Sequence, residues 1–323
     1  MNSDLSCLID PKSHAPLTIL DGTTLLNEGG WRYPIVKGIP RFVGEDNYAQ
    51  AFGKQWNCFP KTQLDSHTGL SLSEDRLARC MRGELSNLAG KIVLEAGSGA
   101  GRFTEILLKQ GAIVHSFDYS NAVEANAANN GQHPALTLVQ ADIRKIPFRR
   151  SYYDYVVCLG VLQHTPDPEE SIQSLWERVK PGGALVIDHY RWKLRNYMPP
   201  PIGVAGILYR RIILKLPLEK QFPVVKKIFD FWFPVIWRFR DSKIIQFFIS
   251  RLSPIVMYYP HFGLRDKDMY YEWMLLDTHD AMTDTYKHRR TAGQMRKFLE
   301  TLTPNVIVTK GGNGIEAFCR KPK

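Results

Sequence analysis

The run Val93-Leu94-Glu95-Ala96-Gly97-Ser98-Gly99-Ala100-Gly101-Arg102 sets an acid two residues ahead of three alternate glycines. Glycines at that density let a ligand approach the backbone more closely than side chains would allow. The spacing is GxGxG, and Arg102 stands where the third glycine of a dinucleotide fingerprint would fall. A pyrophosphate gains little from a carboxylate at Glu95. A ligand carrying an ammonium and a sulfonium cation gains from it. An ordinary turn can carry the same glycines, so the loop alone specifies little.

Acids and turns recur at matching places downstream. Asp118 closes the next apolar run, 21 residues after Gly97, where a carboxylate can accept both hydroxyls of a ribose. Asp142, in Gln140-Ala141-Asp142-Ile143, follows the third run and suits an adenine amino group. The fourth run ends at Leu159-Gly160, where backbone can meet the far end of the same ligand. Singly, each reads equally as a surface acid or a loop. Together they fall in register at successive strand ends, which is where open α/β sheets bind ligands.

The elements that must hold these residues follow from periodicity. Strands are predicted at 92–94, 113–117, 136–139, 155–159 and 184–187, with helices at 103–109, 122–129 and 169–179. That alternation predicts a parallel sheet. A helix over 291–302 and strands at 306–310 and 315–320 around a turn at 311–314 predict a closing hairpin, hence an antiparallel last strand. The chain divides into a small β-rich module (1–44), a core with preceding helices (45–190), an insertion (191–288) and a C-terminal completion of the core (289–323). One preceding helix is predicted over 73–88.

The phrases LEAGSGAGRF, FDYS, QADIRKIPF, DYVVCLGVLQHTPDP and VKPGGALVID, in that order, resemble the successive motifs of class I S-adenosylmethionine-dependent methyltransferases. The likeness covers 91–190 and 291–320. It implies a doubly wound, seven-stranded Rossmann-like sheet with S-adenosylmethionine as cofactor. It also implies Glu95, Gly97, Gly99 and Gly101 at the methionine moiety and Asp118, with Tyr119 beside it, at the ribose. Asp142 and Ile143 are implied at the adenine, and Leu159 near the transferred methyl. Arg102 reads either as a contact to the cofactor carboxylate or as helix surface. The phrase YPIVKGIPRF resembles the zinc-ribbon or Trm112-like segments that precede some of these enzymes. A ribbon needs about four ligands in paired spacing, whereas Cys7 stands alone near Asp10 and His14. No metal is expected, and the module reads as a packing or recognition element.

Methyl transfer is an in-line displacement, so a base must stand by the acceptor atom. His164, after the fourth strand, reads as that base or a substrate contact, or else as a structural histidine bonded to backbone. Asp188 and His189 end the fifth strand and are expected to face the same crevice. Gln55, Trp56 and Gln63 are candidates for a cover over the cofactor, with Trp56 alternatively core. Asp277, His279, Asp280 and Tyr286 lie where the insertion rejoins the fold. No NPPY-like run follows the fourth strand, which argues against methylation of planar amide or adenine nitrogens by enzymes using that motif. The acceptor is expected to be a small-molecule, glycan or lipid-linked oxygen or nitrogen. RNA is the alternative.

The insertion carries the charge. Fourteen lysines and arginines face three acids over 191–265, a local +11, while the whole chain is +10. Aromatic and basic residues interleave there, with Val225, Ile228, Phe229, Trp232 and Ile236 on one helical face and Pro234 expected to kink it. Three readings stay open: an amphipathic helical cap over the strand ends, a patch on an anionic membrane, or an RNA-binding surface. The first ten residues show no basic region followed by an apolar run, and the longest charge-free stretch of the insertion, 196–209, has three prolines. Five scattered cysteines without a CxxC read as reduced thiols. The expectation is a cytoplasmic protein, peripheral on a membrane at most.

Overall fold

The computed structural model describes residues 5–44, 47–200, 202–257, 262–312 and 314–323. It divides into two compact units, one built from 1–60, 71–191 and 286–323, the other from 61–70 and 192–285. Segment 61–70, adjacent in sequence to the helices before the core, thus belongs with the insertion.

In the first unit, β1 (Thr18–Leu20), β2 (Thr24–Leu26), β3 (Arg32–Val36) and β4 (Ile39–Pro40) form an antiparallel meander. Its centre is polar. Asp10, fully buried, accepts from Lys12 N, Ser13 N, Ser13 Oγ, Asn27 Nδ2 and Tyr33 Oη at 2.7–3.1 Å. Burial disfavours its charge, yet these donors hold the carboxyl below its ordinary value. Cys7 is buried in the apolar core.

Helix α1 (Gln50–Cys58) follows; α2 (Asp65–Thr68) lies in the second unit, and α3 (Leu72–Cys80) returns to the first. The predicted helix over 73–88 stops early because Arg82 and Gly83 take left-handed backbone, with φ of 57° and 83°. A 3₁₀ turn, Leu85–Asn87, leads into the sheet.

The sheet elements are β5 (Ile92–Ala96), α4 (Arg102–Lys109), β6 (Ile113–Asp118), α5 (Val123–Asn130), β7 (Leu136–Gln140), β8 (Tyr153–Cys158), α6 (Pro168–Arg178) and β9 (Val179–Tyr190). After the insertion come α11 (Ala292–Leu299), β10 (Val306–Gly311) and β11 (Gly314–Arg320); Asn313 of the predicted turn lies outside the described residues. The order is β10-β11-β9-β8-β5-β6-β7. All pairs from β9 to β7 are parallel, and β11 runs antiparallel to both neighbours. Strand order reverses beside β5, so the loop after β5 sits at the topological switch point.

Alternation along each strand separates two cores. Leu94, Val156, Cys158, Leu185 and Ile187 pack on one face with α6 and α11. Val93, Tyr155, Val157, Ala184 and Val186 pack on the other with α3 and α4.

The second unit is helical: α7 (Gly206–Ile213), α8 (Leu218–Arg238), α9 (Lys243–Leu252) and α10 (Lys267–Thr283). Helix α10 is its centre, burying Tyr270, Trp273, Met274, Leu275, Leu276 and Met282 around its circumference. Its first turn is capped by Asp266, which accepts from Met269 N at 2.9 Å. Helix α8 runs as one helix through Pro223 and Pro234. Its buried stripe is Gln221, Val225, Phe229, Phe233 and Ile236, so Phe233 replaces the predicted Ile228 and Trp232. Phe229 and Phe233 both meet the Tyr271 ring edge-on.

Candidate active site

Three left-handed glycines make the turn from β5 to α4, with φ of 74°, 53° and 89° at Gly97, Gly99 and Gly101. A Cβ on Gly97 would lie 2.2 Å from Val161 Cγ2, and one on Gly101 2.2 Å from Asn126 Oδ1. At these two positions the glycines are therefore required by the protein's own packing. Gly99 differs: its Cβ would meet the Trp56 indole at 3.1 Å, so α1 lies against the loop at that point. The loop's amides are already engaged below. Gly97 N and Ser98 N donate to Phe117 O at 2.7 and 3.1 Å, and Gly99 N donates to Asp118 Oδ2 at 2.9 Å.

Glu95 is buried at the end of β5. Its Oε2 accepts from Thr104 Oγ1 at 2.5 Å and Ser116 Oγ at 2.8 Å, whereas its Oε1 has no hydrogen-bond partner among the described residues. Burial pushes the carboxyl up to about 7, opposed by the two hydroxyls and assisted by the charge of Asp118. Ser98 Oγ, also buried, likewise has no partner among the described residues. These are two buried polar atoms at the strand end and its turn that a polar ligand or water would complete.

At the next strand end, Asp118 Oδ1 accepts from Ser120 N and Ser120 Oγ at 2.8 and 2.7 Å. With Gly99 N on Oδ2, about one of its four acceptor positions remains. Accepting both hydroxyls of a ribose therefore requires one of these donors to yield. Burial holds the carboxyl above its ordinary value against those donors. Beside it, Tyr119 meets the Tyr48 ring at 4.8 Å, and Tyr48 meets Tyr286 edge-on at 5.2 Å. Asp142 is held by its near neighbour Arg144, through Nη2 at 2.8 Å and backbone N at 2.9 Å. Ile143 and Leu159 are buried in the two cores, Ile143 with β8's Val156 and Leu159 with Phe103 of α4. Arg102 turns to α3, where its Nε donates to Ser73 Oγ at 3.1 Å.

The three candidate catalytic residues occupy different settings. His164 ends a 3₁₀ turn, Leu162–His164, and its Nδ1 lies 3.2 Å from the Tyr286 carbonyl. A carbonyl only accepts, so the hydrogen of this bond is carried on Nδ1. Phe52 and Tyr190 flank the ring at 5.2 and 5.3 Å. Asp188 and His189 do not face one crevice as expected, because adjacent strand residues point to opposite faces. Asp188 lies on the α3 face, bound by the Arg76 guanidinium and by Gly160 N at 2.6 Å. His189 lies fully buried on the other face, its Nδ1 3.1 Å from Tyr190 O, and burial lowers its pKa to about 4.

Gln163 carries no motif of its own in the sequence. It is fully buried, and neither of its amide atoms has a hydrogen-bond partner among the described residues. His189 Nε2 and His288 Nε2 share that condition, and His288 N donates to Gln163 O at 2.9 Å. The only available signal was the place of Gln163 beside His164. In the second unit, Asp277 is engaged by Gln63 Nε2 at 3.0 Å and by Trp273 Nε1 at 3.2 Å, and buried His279 meets Phe222 edge-on. Gln63 and Asp277 thus serve that unit's interior.

The sheet order, the antiparallel last strand and the glycine turn at the switch point are those of the class I, Rossmann-like methyltransferase fold. Residues 94–187 match the family described as a methyltransferase domain. A ubiquinone biosynthesis O-methyltransferase from Coxiella burnetii is 31% identical over 122 residues, covering 37% of this chain and 52% of that one. One from Pseudomonas paraeruginosa is 33% identical over 131 residues, covering 39% and 55%. The match thus spans about half the length of these curated relatives. Among solved structures, the N-methyltransferase NodS from Bradyrhizobium japonicum, in complex with S-adenosyl-L-homocysteine, is 24% identical with a TM-score of 0.34, covering 36% of this chain and 62% of that one.

Proposed function

We propose that this chain transfers a methyl group from S-adenosylmethionine to an oxygen or nitrogen of a small-molecule, glycan or lipid-linked acceptor. The observation that carries the reading is Glu95 Oε1, a buried carboxylate oxygen without a partner among the described residues, set beneath a glycine turn at the switch point. That donor set fits the cofactor, because an ammonium group is what such an oxygen lacks. When bound, the cofactor supplies a methyl group made electrophilic by its sulfonium.

The chain's own residues do the rest. Glu95 holds the ammonium, and Asp118 takes the ribose through its remaining acceptor capacity. Tyr119 stands beside Asp118 at the ribose, and Asp142 and the Ile143 backbone border the adenine. His164, its Nδ1 oriented by the Tyr286 carbonyl, is the base for the proton leaving an acceptor hydroxyl. General-base help of this kind contributes typically about 10²–10⁴-fold. The relatives named as O-methyltransferases make a hydroxyl the first acceptor group to assay.

Calorimetric titration with S-adenosylhomocysteine tests the reading. Asp118→Ala is expected to weaken binding by about 10–100-fold, the usual worth of a charge-assisted hydrogen bond. Gly99→Arg, forced against Trp56 in a left-handed conformation, is expected to abolish it. Unchanged affinity in both variants rejects the assignment.

A further inference from the structure

The second unit wears its helix α9 inside out. An ordinary surface helix buries an apolar stripe and shows a polar one. Here the buried residues are Gln246 and Ile249. The Gln246 amide is tied inward, donating to Ile236 O and Phe239 O at 2.9 Å each. The outward residues are Ile244, Ile245, Phe247, Phe248 and Leu252, with Ile244 74% and Phe248 62% exposed. At 100° per residue they sweep about 160° of the helix. Phe231 of α8, 72% exposed, and Ile212 of α7, 66% exposed, add to the unit's apolar surface.

Scattered exposed apolar residues need no explanation, but a helix that turns its aromatic face to water does. Cations border it. A groove of about 820 Å³ is lined by Arg195, Arg240, Lys243 and Arg251 against the single acid Asp241, with Phe247 in its wall. The Arg251 guanidinium lies 4.4 Å from the Phe247 ring centroid, and its Nε has no hydrogen-bond partner among the described residues. Lys243 and Arg195 meet no acid among the described residues. No helix among the described residues is long and apolar enough to cross a membrane.

We infer that α9 and its basic groove form a docking surface for a bilayer rich in anionic phospholipid. Phe248, Ile244 and Leu252 enter the acyl boundary, while Lys243, Arg240 and Arg251 meet the headgroup phosphates. Charge complementarity selects this occupant. A second copy of the chain would bring the same cations face to face, and an RNA would leave the aliphatic side chains in water. The inference rests on the second unit alone and is independent of the methyl-transfer reading.

Co-sedimentation of the full chain with vesicles tests it. Binding is expected to an equal mixture of phosphatidylcholine and phosphatidylglycerol, with far less to phosphatidylcholine alone, and to weaken as salt is raised. Lys243→Glu with Arg251→Glu should reduce partitioning at least about tenfold. Ile244→Ser with Phe248→Ser should do so by a comparable factor. Thermal unfolding of the Ile244→Ser, Phe248→Ser variant should stay near that of the parent, because both side chains are exposed. Lys243→Glu alone, also exposed, should weaken vesicle binding in the same direction if half-buried Arg251→Glu unfolds the chain. Phe248→Trp should show an emission blue shift on anionic vesicles and none with soluble inorganic phosphate. Absence of binding to anionic vesicles at low salt overturns the proposal. So does a concentration-dependent dimer that Phe248→Ser dissolves while vesicles leave the protein in solution. Salt-sensitive binding of transfer RNA without any vesicle binding overturns it as well.

Discussion

Glu95 carries the sharpest single-residue consequences. Only its ionised form attracts an ammonium group, and its carboxyl sits at about 7 in the free protein. Affinity for S-adenosylhomocysteine should therefore fall as pH drops through about 7. Glu95→Gln should bind weakly and lose that dependence, and a parallel pH profile in the variant would remove Glu95 from the site. The same shift has a stability cost. The folded pKa is raised above the ordinary value of 4.5, so the folded state binds the proton more tightly than the unfolded one. Stability is full at acid pH and is lost as pH rises through 7, by up to roughly 3 kcal/mol. Without ligand, Glu95→Gln should gain on the parent at pH 8 and lose that gain near pH 4, as read by urea unfolding. Gly97→Ala tests the turn itself. Left-handed backbone and a Cβ 2.2 Å from Val161 together should cost about 2–4 kcal/mol. Pairing it with Val161→Ala removes the contacts to the two γ-methyls at 2.2 and 2.8 Å but keeps Val161 Cβ at 3.0 Å, so it should recover part of the loss and leave at least about 1 kcal/mol.

Between elements, the decisive link is Arg76 of α3 with Asp188 of β9. Asp188 is fully buried and also fixes Gly160 N, where the chain leaves β8. Removing one partner strands the other charge in a poorly solvated place. Asp188→Ala should thus cost about 3–5 kcal/mol. Arg76→Leu combined with Asp188→Leu should cost less than the sum of the single changes, a coupling that a double-mutant cycle reads directly. Additive losses would mean that the pair does not act as a unit. Asp188 is accordingly a positioning residue for the turn at Gly160.

For the molecule as a whole, two compact units imply two responses to ligand. A cofactor at the β5 turn stabilises the unit that binds it, by about 2.7 kcal/mol at a hundredfold excess over Kd. Hydrogen exchange should slow most at amides of β5, β6 and β8, by up to about 100-fold, while α9 amides stay near their free rates. Equal protection of α9 would show that the units open together.

The order of strands and helices in the core, the antiparallel closing hairpin and the glycine turn with its acids at successive strand ends are all legible in the residues. These are local patterns of period, turn chemistry and spacing, and they survive without knowledge of any distant partner. Tertiary structure decided which functional groups are already engaged. Gln63 finds Asp277, 214 residues away, and Arg76 finds Asp188, 112 residues away; nothing in local spacing encodes either pairing. Adjacent Asp188 and His189 look like one cluster in sequence, but the strand sends them to opposite cores. The break after Cys80 depends on left-handed backbone at Arg82, a residue type that rarely signals it. Helix α9 shows the same limit from the other side. Its apolar arc is legible as a pattern, yet only the fold reveals that Gln246 is the residue turned inward, because two backbone carbonyls there had to be satisfied.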